Sequence, residues 1–306
     1  MKAVFPIVLR VIALTVILFV CFAVAGQVVL PQASSRGPEQ AGAAAVALLA
    51  VSFITTCILT HIILRSRWAG WRLAVAVFVV FYGVQTFMSQ IESAVFITRL
   101  PPGVLPRLFL MGALTAAPFS MLAVLILGKR RPDVLSGAPN TRLVMPAGEW
   151  AWKLTVIAAA YVILYFTFGY FVAWRNPAVR EYYGGVDEGS FVANMRTVMR
   201  HTWWLVPFQV LRAMLWTALA LPVVRMMKGQ WQETALALGL LFGVLMTAPL
   251  LLPNPYMPQA VRMTHMIETG TSNFLFGLLV GWLLASQSWA GSAAHRLAGH
   301  GEGKRV

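Results

Sequence analysis

The sequence predicts an all-α protein: a polytopic integral membrane helix bundle of about eight transmembrane helices, with the N-terminus and the C-terminus both cytoplasmic. Composition and patterning carry this class. The 306 residues are 59% hydrophobic and only 11% charged, with a mean hydropathy of +0.73, whereas soluble domains carry roughly 25% charged residues. The apolar residues gather into eight runs, each long enough at 1.5 Å per residue to cross about 30 Å of hydrocarbon. The formal charge of +14 does not point to nucleic acid, because that needs a basic face on an extramembrane domain and no stretch here forms one. Cys21 and Cys57 lie inside apolar runs, as small hydrophobes rather than a disulfide framework or a metal signature.

The first run, about residues 5–30, comes after Lys2. It is too long for the h-region of a signal peptide, and its Ala-x-Ala (Ala23 to Ala25) lies inside the run, so a retained first helix is expected. A short polar loop at 37–42 leads to a second span, about 43–64, closed by Arg65, Arg67 and Arg72. The third, about 73–97, stops at Arg99, Pro101 and Pro102, and the fourth covers about 104–127. Pro132, Pro139 and Pro146 break any helix in the next connection. That connection divides a first four-helix half (1–128) from a second (150–290) by a cytoplasmic linker (129–149).

The fifth span is about 150–174. After it comes the longest hydrophilic stretch, an extracytoplasmic segment at 175–202. Within that segment Phe191, Met195, Val198 and Met199 recur near helical spacing, so residues 190–201 are expected to lie flat on the interface. The sixth span is about 203–226 and the seventh about 234–252. Pro253 and Pro255 then turn the chain into the eighth, about 258–284, and a basic cytoplasmic tail (291–306) ends it. Placing Arg107 over Arg262 aligns Met111 with Met266 and Phe119 with Phe274, too few matches in a hydrophobic alphabet to establish a repeat of the halves.

Orientation is set by lysine and arginine. With the N-terminus cytoplasmic, the inner segments hold 15 of them and the outer segments 8, the asymmetry of a protein with both termini inside a bacterial-type cytoplasmic membrane. Trp203 and Trp204 at the outer boundary, and Trp68, Trp71, Trp150 and Trp152 at the inner one, suit aromatic belts.

Topology gives depth to the residues that do not belong in hydrocarbon. The first half of the eighth run carries His265, Glu268, Thr269, Ser272 and Asn273, and Glu268 lies roughly 15 Å along the helix from its outer start. Arg212 lies at a similar depth, roughly 14 Å below the outer end of the sixth span. The third span brings Gln85, Gln90 and Glu92 into the same outer half. Each ionisable group alone costs on the order of 3 kcal/mol at a helix centre, and an arginine cannot shed its proton to escape that cost. Arg212 is therefore expected to pair with Glu92 or Glu268. Helical spacing puts His265, Glu268 and Ser272 on one face with Thr269 and Asn273 beside it, and puts Gln209 on the face of Arg212. The polar site is thus predicted from Glu92, Arg212, His265 and Glu268, supported by Gln85, Gln90, Gln209, Thr269, Ser272 and Asn273, around a small wet cavity open to the outside. Tyr161, Tyr165 and Tyr170 read as packing, with Tyr165 a candidate cavity donor, and Gly270 and Gly277 as places where the eighth helix can bend.

One histidine in the layer is too few for a catalytic zinc, and Arg212 would repel a cation, so neither a metal nor a cofactor is expected. There is no Gly-x-Ser-x-Gly, no His-Glu-x-x-His and no P-loop. The first expectation is a proton-coupled transporter of a small anionic or zwitterionic solute. A membrane-embedded enzyme acting on lipid or a lipid-linked substrate is the alternative, and a non-catalytic subunit or sensor the second. The expected partners are the bilayer and a small solute or lipid headgroup, while nothing in the sequence sets an oligomeric state.

Overall fold

Residues 4–29, 38–97, 100–131 and 140–286 are described by the structure, a computed structural model. The expected loop at 37–42 lies partly outside them, as do Pro132, Pro139 and the whole basic tail. Among the described residues eight helices are long and apolar enough to cross a membrane: Phe5–Val29, Ala41–Leu64, Gly70–Phe96, Val104–Ile126, Ala147–Ala173, Leu205–Met226, Trp231–Leu251 and Gln259–Ala285. In chain order these are the first to eighth spans. No strand forms among these residues, only two isolated bridges. The protein is a multi-pass membrane protein with an all-α architecture.

The third and seventh spans begin about three residues earlier than hydropathy alone indicates, because polar residues are accommodated in their first turns. Arg72 stacks over the Trp68 ring, its guanidinium carbon 4.1 Å from the ring centroid. Glu233 lies in the first turn of the seventh span, where open backbone N–H groups favour a carboxylate. One end of the bundle, the collar, gathers residues 65–70, 128–131, 140–146 and 226–231. There Arg65 clamps Glu233 through both Nε and a terminal nitrogen. Arg142 donates to the carbonyls of Met227 and Gly229 and to Thr234 Oγ1, strapping the linker to the start of the seventh span. His61 stands 3.9 Å from Glu233.

The opposite end, the cap, carries two short helices between the fifth and sixth spans. In Pro177–Tyr183, the Asn176 side chain accepts from Ala178 N and Pro177 fixes the first turn, while Gly184 closes the helix with φ +68°, a conformation only glycine adopts without strain. Val179 is buried against Ala173, Met257 and Val261. Asn176 also donates to Thr264 (2.7 Å) and Tyr182 to the Tyr256 carbonyl (2.7 Å), so this helix is tied to the head of the eighth span. The second short helix, Phe191–His201, is capped by Ser190 and has no buried residue; Phe191 packs on Tyr170 and Phe171 while Val192 and Met199 are exposed.

The seventh and eighth spans make the closest contact in the bundle. A methyl group at Gly277 would meet the Leu238 carbonyl oxygen at 2.5 Å, and one at Gly281 would meet Ala235 Cα at 2.3 Å. The two backbones touch along a stripe of small residues, the arrangement by which membrane helices gain dispersion contact without a hydrophobic driving force. The eighth span accordingly runs unbroken through Gly270 and Gly277: Gly277 serves close packing instead of the expected bend. Irregularity falls elsewhere, in π-helical turns at Gly83–Phe87, Gly169–Ala173 and Leu240–Leu245. In the middle of the bundle Trp216, Phe242 and Phe276 are fully buried, Phe242 lying 4.5 Å from Trp216 and Tyr161 4.7 Å from Phe276 between ring centroids.

Candidate functional site

The polar residues of the layer fall into two groups. In the first, Arg212 sits in the third turn of the sixth span and is 1% exposed. Its guanidinium donates through one terminal nitrogen to Gln209 Oε1 at 2.9 Å and through the other to Glu92 on the third span. The faces of Tyr161 and Phe208 lie 5.5 and 5.9 Å from its central carbon, a cation–π setting. The Glu92 side chain is 29% exposed. The pair therefore joins a desolvated cation to a carboxylate that still reaches the edge of the bundle, which keeps part of the desolvation cost off the acid. The π turn at Gly83–Phe87 lies just before Glu92; such an inserted residue rotates the later part of its helix and is frequent at functional sites.

In the second group, His265 Nδ1 lies 3.2 Å from Glu268 Oε2, one turn further along the eighth span, and Thr269 donates to the same oxygen at 2.8 Å. The other ring nitrogen, Nε2, lies 3.1 Å from the Tyr183 hydroxyl. With Nδ1–H directed at Glu268, Nε2 accepts the Tyr183 O–H; this tautomer is assigned from the hydrogen-bond network. Side-chain exposure falls along the chain from 20% at His265 to 9% at Glu268. Burial, then the neighbouring Tyr182, Glu92 and Glu268, push the Tyr183 phenol well above its ordinary range, so it stays an O–H donor.

The two groups share an electrostatic neighbourhood. Tyr161 on the fifth span lies within reach of the charges of Arg212, Glu92 and Glu268 and accepts from Trp216 Nε1 at 3.2 Å. Tyr165, one turn nearer the cap, lies within reach of the same three. Toward the collar the layer is floored by Trp216, Phe276 and Phe242.

Not every predicted member joins. Gln85 turns away, donating to Thr55 and to the Leu245 carbonyl, because it lies within the π turn. Asn273 points at Met246 Sδ, and Ser272 bonds back to the Thr269 carbonyl; both serve contacts of the eighth span. Gln209 and Thr269 are in the groups, and the Gln90 oxygen is buried without a hydrogen-bond partner among the described residues. Sequence reasoning missed Tyr183, which comes from the hydrophilic stretch, and read Tyr161 as packing. An apolar groove of about 390 Å³, lined by residues such as Ile54, Thr247, Met266 and Phe274, lies on another face of the eighth span and takes in none of the four ionisable groups. Among the described residues no three His, Cys, Asp or Glu side chains gather as a metal site would require.

Fold and site together define a multi-pass helical membrane protein with charged side chains held inside its bundle. The chain matches no family model, no characterised protein and no solved structure.

Proposed function

We propose that this protein is a proton-coupled carrier of a small anionic or zwitterionic solute, with the cap end extracytoplasmic and both chain ends in the cytoplasm. The observation that carries the reading is the hydrogen-bonded chain Tyr183–His265–Glu268, which runs from the cap into the layer that holds the buried Arg212 and its partly exposed partner Glu92. A titratable imidazole and carboxylate in the same layer as a permanently charged arginine let protonation on the one side alter the charge balance felt by a solute on the other. The aromatic floor lies on the collar side of the layer, and His265, the more exposed member of the His265–Glu268 pair, lies on its cap side, which supports entry from the cap.

A second reading, a membrane-embedded enzyme acting on a lipid headgroup, draws on the order hydroxyl, imidazole, carboxylate, which is that of an activated nucleophile. The raised phenol of Tyr183 disfavours it, since a half-buried phenol held neutral donates a hydrogen bond and does not attack. Purified protein in vesicles loaded with a pH-sensitive dye separates the two. A carrier acidifies the lumen when a mixture of amino acids and small carboxylic acids is added outside, and chromatography recovers every added compound unaltered. Lipid or solute converted to product, with no lumen acidification, would favour the enzyme.

A further inference from the structure

The donors around Arg212 outnumber their acceptors. Arg212 Nε and Gln209 Nε2 are both buried and meet no acceptor among the described residues. The orientation of the Gln209 amide is fixed, because its oxygen already accepts from Arg212 and the NH2 end must face the other way. Tyr161 adds a third donor: its oxygen accepts from Trp216, and no acceptor stands opposite its own hydrogen among the described residues. The three are contiguous, since Gln209 bonds the guanidinium and Tyr161 lies against its face. A buried donor left unmade costs about 1–3 kcal/mol, and native interiors hold few of them without a reason. The acidic side chains of the layer are by contrast engaged: Glu92 by Arg212, and Glu268 by His265 and Thr269.

From this asymmetry we infer that the Arg212–Gln209–Tyr161 corner binds the carboxylate of a monocarboxylic solute, and that the solute enters together with a single proton. The inference rests on the reading of the layer as a solute site and narrows its ligand. A carboxylate supplies two acceptor oxygens to a donor-rich corner, while the two carboxylates of the layer, Glu92 and Glu268, are already paired and neither is left over to hold the ammonium of an amino acid. Charge sets the proton count. Arg212 and Glu92 balance, and Glu268 beside a neutral imidazole holds the solute-free layer at one negative charge. A bound monoanion accompanied by one proton on the His265–Glu268 pair therefore returns this low-dielectric layer to that same charge. Inorganic phosphate is a mixture of mono- and dianion at neutral pH: the dianion would leave a second charge uncompensated, and the monoanion brings its own hydroxyl donors to a corner already rich in donors.

The test is equilibrium binding to the purified full-length protein in lipid nanodiscs, with acetate, butyrate and benzoate as carboxylate probes and inorganic phosphate and glycine as the other arms. Proton uptake is read from calorimetry in buffers of different ionisation enthalpy. A carboxylate should bind, taking up one proton per molecule, while phosphate and glycine bind at least tenfold more weakly. Gln209→Leu and Tyr161→Phe should each weaken that binding on the order of tenfold, the loss of one hydrogen bond to a charged group. Tighter binding of phosphate or glycine, no binding of any probe, or carboxylate binding undiminished in both variants would each overturn the inference. Glycine driven across vesicles by a pH gradient, with no carboxylate moved, would refute the carboxylate corner and leave the carrier standing. Carboxylate bound as described, with no solute moved by any gradient, would refute the carrier and leave the corner.

Discussion

Arg212 is the residue whose surroundings constrain the rest of the layer most. Fully buried and permanently charged, it must keep a carboxylate, and Glu92 supplies one from the third span. Glu92→Gln leaves the cation uncompensated and should cost about 3 kcal/mol in thermal or denaturant unfolding in detergent, the loss found when a buried pair loses one partner. The double variant Glu92→Gln with Arg212→Met should recover much of that loss; strictly additive losses would contradict a direct pair. Tyr183 carries a different signature. Its phenol is raised above the ordinary value of 10.0, so folding favours the neutral form: that stability is complete below pH of about 10 and declines as pH rises beyond it. Tyr183→Phe cannot ionise. The stability advantage of wild type over this variant should therefore hold steady up to about pH 10 and shrink above it, as read from unfolding across pH. Arg212 and Glu92 were legible in the sequence because depth can be counted along a helix and an arginine cannot neutralise itself. The part of Tyr183 was not. The Asn176–Pro177 start and Gly184 stop do spell out a short helix, yet its return onto His265 depends on packing of Val179 that no local pattern encodes.

At the scale of the element, the seventh and eighth spans act as one unit. Gly277→Ala places a methyl 2.5 Å from the Leu238 carbonyl and should cost about 1–3 kcal/mol by forcing two backbones apart. Gly270→Ala, whose methyl meets Thr247 at an ordinary 3.4 Å, should be neutral or slightly stabilising, as expected for alanine in a helix. Equal effects of the two substitutions in thermal unfolding would contradict the packing stripe. Span number and position were readable from hydropathy because backbone groups in lipid must be satisfied within each helix. The π turns were not readable: Gln85 and Glu92 lie in the same predicted layer, but the turn at Gly83–Phe87 sends one to the second and seventh spans and leaves the other with Arg212. Asn273 misled for a related reason, as helical spacing places a side chain on a face without naming the neighbour that face meets.

At the scale of the whole molecule, the proposed orientation puts residues 175–202 outside and residues 140–146 inside. With Cys21 and Cys57 replaced by alanine, Glu188→Cys should react with a membrane-impermeant maleimide on intact cells, while Thr141→Cys should react only after permeabilisation. The opposite pattern would invert the bundle and put the Tyr183–His265–Glu268 chain at the cytoplasmic face. The central claim is that His265 and Glu268 couple a proton to a solute held near Arg212. It is tested most directly by comparing net uptake with counterflow exchange in vesicles bearing wild type or Glu268→Gln. Wild type should accumulate labelled carboxylate down an inward proton gradient. Glu268→Gln should lose that accumulation yet still exchange external label for internal solute, because the site remains and only the proton step is gone. Undiminished gradient-driven uptake by Glu268→Gln would contradict the claim.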